Sequence, residues 1–153
     1  TQYDLLEYLL RNRDIVLTEA DHYEFYLVAV NRMKCKPLTM PTVDLGGDKN
    51  PRWFSHGDAL NPALGLTGIR LCLAEPIMFR TQMRAVLRAA VHGPIRLLWP
   101  MIGSLSELRQ CHAHLDLAKQ QLSDRGMAFQ ADLPFCCMIE IPSAALLVTS
   151  LLL

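Results

Sequence analysis

Short apolar runs alternate along this chain with longer segments whose apolar residues recur at helical spacing, and little sequence separates them. That alternation constrains the fold most. A helix between two strands carries the chain back to where the next strand begins, so successive strands run parallel in one sheet with helices packed against it. Leu5 to Leu10 reads as a short strand. Thr18 is a candidate N-cap with Asp21 three residues on, and the helix that follows is expected to bury Tyr23, Tyr26, Leu27 and Val30 and to end before Pro37. Leu38 to Leu45 is the next strand, although Pro41 removes a ladder donor from it. Ile69 to Leu73 is a brief strand or the approach to a helix that starts at Pro76. That helix turns Phe79, Met83, Val86, Leu87 and Ala90 inward and carries Arg80, Arg84 and Arg88 on the other face, read as a solvated stripe. Ile95 to Trp99 is a strand. Ser104 caps a helix with Leu105, Leu108, Leu115, Ala118 and Leu122 inward, closed at Asp124-Arg125-Gly126. Phe135 to Ile141 is the last strand, and Pro142-Ser143 opens a final helix. The reading is α/β with about four parallel strands; periodicity leaves open an open sheet or an arc of a barrel.

A chain of 153 residues, 51% apolar and 20% charged, suffices for one domain with a core. Its formal net charge of zero supplies no overall field that would draw it to nucleic acid or to an anionic membrane, and a neutral pI predicts poor colloidal solubility. The five cysteines are odd in number and form no C-x-x-C pair, which reads as reduced thiols in a cytoplasmic protein. The start lacks a signal-peptide pattern, and the apolar stretch from Ala144 to Leu153 falls short of the roughly 20 residues a membrane helix needs. With no initiator Met and a last residue inside that stretch, both ends read as cut.

Between Gly46 and Asn61 lies a long Gly-, Pro- and Asp-rich loop holding Trp53 and Phe54, as a lid or packed beneath the loop. Asp48 and Lys49 follow two glycines at a strand exit. They are either an anion site built from Lys49 and loop N–H groups or a turn with two solvated charges. Cys111, His112 and His114 sit at helical offsets that do not converge on a metal, so they read as a half-buried helix surface. Cys136 and Cys137 point opposite ways on a strand and read as core thiols. His22, His56 and His92 have no positioned carboxylate or serine partner in the pattern.

Six segments in order give these elements a lineage. Leu6-Glu7-Tyr8-Leu9 with Arg13-Asp14 and Thr18-Glu19, Asp44 to Lys49, Asn61-Pro62 with Gly65 and Ile69-Arg70, Phe79 to Ala90, Leu98 to Ile102, and Met138 to Pro142 cover almost the whole chain. Together they resemble the phosphoenolpyruvate (PEP)-binding barrel of enzyme I of the bacterial sugar phosphotransferase system. The resemblance implies part of a (β/α)8 barrel, running from its second strand to its fifth, as a single partial domain over residues 1–153. It also implies an ancestral transfer of phosphoryl from PEP to a protein histidine.

In that family three arginines hold the phosphate and carboxylate of PEP, and here the corresponding positions are Leu5, Pro41 and Thr67. Each lost arginine contact is expected to cost about 2–5 kcal/mol of binding. Arg52 and Arg70 are the nearby cations, and Lys49, Asp48 and Arg70 are the candidate substrate-binding residues. Glu140 matches the family's first magnesium carboxylate. The resemblance assigns the second carboxylate, the catalytic cysteine and the phosphorylated histidine to regions outside this match. The expected partners are PEP or pyruvate and phosphotransferase proteins, with neither nucleic acid nor membrane. A partial barrel also leaves sheet edges through which copies would associate. The alternatives to an impaired phosphotransferase are a non-catalytic module that docks on phosphotransferase proteins, or a remnant without function.

Overall fold

The computed structural model describes residues 17–44 and 65–151. Its first helix, α1 (Glu19–Arg32), starts as the sequence predicts. The Thr18 hydroxyl accepts the Asp21 N–H, and the Asp21 carboxylate accepts the Thr18 N–H at 2.8 Å, which satisfies two donors that a helix start leaves open. The buried stripe is His22, Tyr26 and Val30 rather than the expected set, with Tyr23 and Leu27 only half-buried. The Tyr23 hydroxyl needs a polar partner and finds His92 Nε2 at 3.0 Å, which holds the ring at the rim of the helix interface.

Strand β1 (Leu38–Pro41) is shorter than expected. Leu38 and Thr42 donate to Pro94 and Leu98 on the neighbouring strand. By the two-residue period of a strand, the nitrogen of Pro41 therefore faces away from that neighbour, and its missing N–H removes nothing from the pairing. Beyond Thr42 the next N–H, that of Val43, turns to a side chain, Gln82 Oε1, at 3.0 Å, and the strand ends. Ile69 to Leu73 proves helical, inside α2 (Gly68–Ala74), with Ile69, Leu71 and Cys72 buried; so short an apolar run carries no decisive period.

Helix α3 (Pro76–Ala89) is the centre of the helical layer. It packs against α1, α2 and α4 (Leu105–Asp124), so its expected inward face of Phe79, Met83, Val86 and Leu87 is joined by Gln82, Arg84, Ala85 and Ala89. Ser104 caps α4 by accepting the Glu107 N–H, and Gly126, in the left-handed region at φ 63°, lets Met127 close the helix onto the Leu122 carbonyl. Leu108, Cys111, Leu115, Ala118 and Leu122 face inward from α4, while Leu105 is half-buried.

Strands β2 (Ile95–Trp99) and β3 (Phe135–Cys137) complete a parallel sheet in the order β1-β2-β3, three strands among the described residues. The expected first strand, Leu5 to Leu10, lies outside those residues. β3 ends earlier than expected because Met138 donates the last ladder bond, to the Trp99 carbonyl. The final helical segment is split at Leu147 into α5 (Pro142–Leu146) and α6 (Val148–Leu151). One sheet face is buried under the helices through Met40, Ile95, Leu97 and Trp99. The alternate residues Thr39, Arg96, Leu98 and Cys136 lie on the other face, exposed or half-buried.

Candidate functional site at the carboxyl edge of the sheet

Because the strands are parallel, their carboxyl ends emerge at one edge, and the connections there gather side chains from distant parts of the chain. After β2 the chain turns at Met101, whose φ of 60° is rare for a side chain of that size. This turn aims the Met101 N–H at Glu140, which follows β3, and the N–H donates to Glu140 Oε1 at 2.7 Å. A backbone donor thus fixes a carboxylate between two strand exits. Gly68, at φ 53°, brings the start of α2 against the same turn. A Cβ there would lie 2.8 Å from Met101 Cγ and 3.4 Å from Asp44 Oδ1, a closeness only glycine permits. Asp44, Gly68, Met101 and Glu140 therefore share one edge.

Behind this edge Gln82 clamps the exit of β1. Its Oε1 accepts the Val43 N–H, and its Nε2 donates to the Tyr26 hydroxyl at 2.9 Å and to the Pro41 carbonyl at 3.3 Å. The sequence carried a sign of this that went unread: Gln82 is a polar residue between Phe79 and Met83 on an apolar face. The Met101 turn had no sign, since a positive φ at methionine follows from tertiary packing alone.

Of the expected site residues, Glu140 stands at this edge. Arg70 lies on the first turn of α2, half-buried, and its side chain makes no hydrogen bond or ion pair with a described residue. Pro41 ends β1, and Thr67 is buried immediately before α2, so two positions where the resemblance puts arginines carry no charge at this edge. Asp48, Lys49, Arg52, Trp53, Phe54, His56 and Leu5 lie outside the described residues. Glu140 offers a hard oxygen ligand, but among the described residues no group of three or more His, Cys, Asp or Glu side chains is arranged to hold a metal ion.

The remaining polar residues resolve into structural roles, one of them unexpected. The arginine stripe of α3 is not a solvated face. Arg84 is 9% exposed, and it donates through Nε to Glu19 at 2.6 Å, through Nη1 to Gln121 and through Nη2 to Thr81. Arg88 donates to the other Glu19 oxygen at 2.9 Å and lies over the Tyr23 ring, while Arg80 reaches His114 Nδ1 at 3.2 Å. A charge this far from water persists because it is paired and fully bonded. Cys111, His112 and His114 diverge. Cys111 is buried, His112 packs edge-on against Trp99 and Phe135, and His114 packs against Phe79. Burial pushes the Cys72 thiol up to about 12 and the Cys111 thiol up as well, so both stay protonated. Cys136 and Cys137 are both half-buried; Cys137 packs against the core as expected, whereas Cys136 lies on the other sheet face. No helix among the described residues is long and apolar enough to cross a membrane.

Residues 6–152 match the PEP-binding domain of PEP-utilising enzymes. The chain is similar to the phosphoenolpyruvate-protein phosphotransferase of Cupriavidus necator, at 46% identity over 144 residues. It is also similar to the proteins of that name from Priestia megaterium and Bacillus subtilis, at 39% and 38% identity over 141 residues each. Each match covers 92% of this chain and 25% of the relative, so the chain spans about a quarter of the length of the relatives it matches.

Proposed function

The chain belongs to the PEP-utilising enzymes through their PEP-binding domain, and from that premise we propose that it is a section of a PEP-dependent protein phosphotransferase whose substrate site keeps its metal-side carboxylate and has lost its phosphate-side cations. The observation that carries this is the pairing of Glu140 with the Met101 N–H at the carboxyl edge, beside uncharged Pro41 and Thr67. Glu140 holds one oxygen against the backbone and leaves the other for a hard cation, with ligand oxygens and water completing the coordination. Magnesium would polarise the oxygens of PEP or of the pyruvate enolate there. Arg70 and, after β1 in the sequence, Lys49 are the cations we assign to the anion in place of the arginines, while Asp48, a carboxylate, would meet it only through the metal. A (β/α)8 barrel accounts for the sheet face that the described helices leave uncovered, since parallel sheets are ordinarily covered on both faces or closed on themselves. The test is calorimetry with magnesium and oxalate, a stand-in for the enolate. Oxalate is expected to bind at millimolar concentration and Glu140→Ala to abolish the binding, with PEP binding no tighter than oxalate. Binding that survives Glu140→Ala, or no magnesium-dependent binding, overturns the assignment.

A second reading rests on a different observation. Phe135, Ile139, Leu146, Leu147 and Val148 are exposed along and beyond β3, Leu146 at 86%. A strand edge flanked by such side chains favours a module that associates with another chain, a second copy or a phosphotransferase protein. Sedimentation should then show concentration-dependent self-association that Leu146→Glu reduces. A monomer at all concentrations would remove this reading.

A further inference from the structure

On the outer helical layer, away from the carboxyl edge, three guanidinium groups converge on one carboxylate. Glu19 Oε2 accepts from Arg84 Nε at 2.6 Å and from Arg125 Nη1 at 3.0 Å, and Oε1 accepts from Arg88 Nη1 at 2.9 Å. One negative charge therefore faces three positive ones, and no other carboxylate among the described residues lies within ion-pair distance of these arginines. The three arginines hold the Glu19 carboxyl below the usual carboxylate range against the opposing effect of its burial, so it is ionised and the surplus is two positive charges. Each nitrogen of Arg84 has a partner, in Glu19, Gln121 and Thr81. Arg88 and Arg125 differ: each gives one Nη1 donor to Glu19, and their Nε and Nη2 groups bond no described residue. Both bonded nitrogens touch the same carboxylate, so the two guanidiniums stand no farther apart than a carboxylate's width and two hydrogen bonds. Arg88 is also held in place by the Tyr23 ring, with its guanidinium carbon 4.2 Å from the ring centroid and its side chain 21% exposed, while Arg125 is 49% exposed, so a ligand approaches the pair from the Arg125 side.

We propose that Arg88 and Arg125, braced by Glu19 and Arg84, form a binding site for a phosphate-type oxyanion, either free phosphate or the terminal phosphate of a small metabolite. A tetrahedral dianion matches the surplus charge, and its oxygens accept the fork of donors that two guanidiniums present. The groups are already positioned by the contact between α1, α3 and the end of α4, so binding requires little ordering. The site is independent of the carboxyl edge and does not rest on the function proposed there.

The experiment titrates inorganic phosphate, and in a second arm glycerol phosphate, into the 153-residue chain at constant ionic strength, with arginine Nε–H resonances as the readout. Saturable shifts at Arg88 and Arg125 are expected, with Arg125→Ala weakening binding about tenfold or more and Arg109→Ala, an exposed arginine elsewhere on α4, leaving it unchanged. Arg125 is far enough exposed that its loss leaves the fold intact, which the rest of the spectrum reports. Saturation by phosphate alone assigns the site to the free ion, and saturation by both assigns it to phosphate esters as well. No saturable shift at tens of millimolar, or an equal loss in Arg109→Ala, overturns the proposal.

Discussion

Acid should destabilise this fold well above the pH at which carboxylates titrate, and His22 is the reason. The ring is buried on the inner face of α1, stacked on Tyr26 at 6.0 Å between centroids, and its Nδ1 has no hydrogen-bond partner among the described residues. Burial pushes the imidazole down from 6.5 to about 4, and the neighbouring Asp21 carboxylate opposes this only weakly. An imidazole that binds its proton more tightly in the unfolded chain leaves stability untouched above pH 6.5 and lowers it progressively as pH falls toward 4. At 1.36 kcal/mol per unit, the penalty is about 2 kcal/mol at pH 5 and about 3 kcal/mol at pH 4. Urea melts of the wild type and His22→Phe at pH 7.5, 6, 5 and 4 measure it. Phenylalanine keeps a ring against Tyr26 and cannot take up a proton. Glu19 and Asp21, held below their ordinary values of 4.5 and 3.8, begin to lose their own contributions only as pH falls through those values, below the pH 5 comparison, where His22→Phe also removes the smallest of the causes that lower Asp21. The stability difference between variant and wild type should therefore shift by about 2 kcal/mol in favour of the variant between pH 7.5 and pH 5. A shift under about 0.5 kcal/mol would mean that His22 reaches water or a partner in solution, and the reasoning would fail.

Gln82→Leu leaves the Val43 N–H without its acceptor and should cost about 1–3 kcal/mol in a urea melt; a change within about 0.5 kcal/mol would show that the clamp at the β1 exit contributes nothing. Gly68→Ala adds a left-handed strain of roughly 1–2 kcal/mol and a clash with Met101, so the melting temperature should fall, and Met101→Gly in that background should restore part of the loss. Thr67→Arg returns a cation to the edge at a buried position and should lower stability without ligand, yet make the melting temperature rise more with added PEP than it does in the wild type.

The elements legible in the sequence were those whose own residues decide them. Thr18 with Asp21 fixed the start of α1, Ser104 that of α4 and Gly126 its end, and the α/β alternation produced the parallel sheet. What could not be read was decided by neighbours. Ile69 to Leu73 is apolar whether helix or strand, and its packing against α3 and α4 made it a helix. The α3 arginines looked solvated because an amphipathic pattern knows only one neighbour, whereas α3 has helices on several sides and Glu19 waiting on one of them. At the candidate site the lineage picked out Glu140, but the donor that fixes it belongs to Met101, on another strand's exit.

On the proposed function, in which Pro41 and Thr67 stand where the lineage uses arginines to hold substrate, the arginines kept between the helices and those missing at the edge have one physical cause. Arg84 and Arg88 neutralise Glu19 in the folded protein whether or not any ligand is bound, so replacing them would expose a half-buried carboxylate and weaken the fold. Arginines gathered for a phosphate repel one another until the phosphate arrives, so on that reading a protein without its ligand would lose nothing in stability by carrying Pro41 and Thr67 instead. Proline ends β1 with its nitrogen turned away from the ladder, and threonine packs buried ahead of Gly68, both compatible with the surrounding backbone. The Glu140–Met101 contact survives on the same logic, since it satisfies a backbone donor at a strained turn. On the proposed function the fold outlasts the affinity it once served, and the Glu140–Met101 contact described at this edge is one the native structure needs with no substrate present.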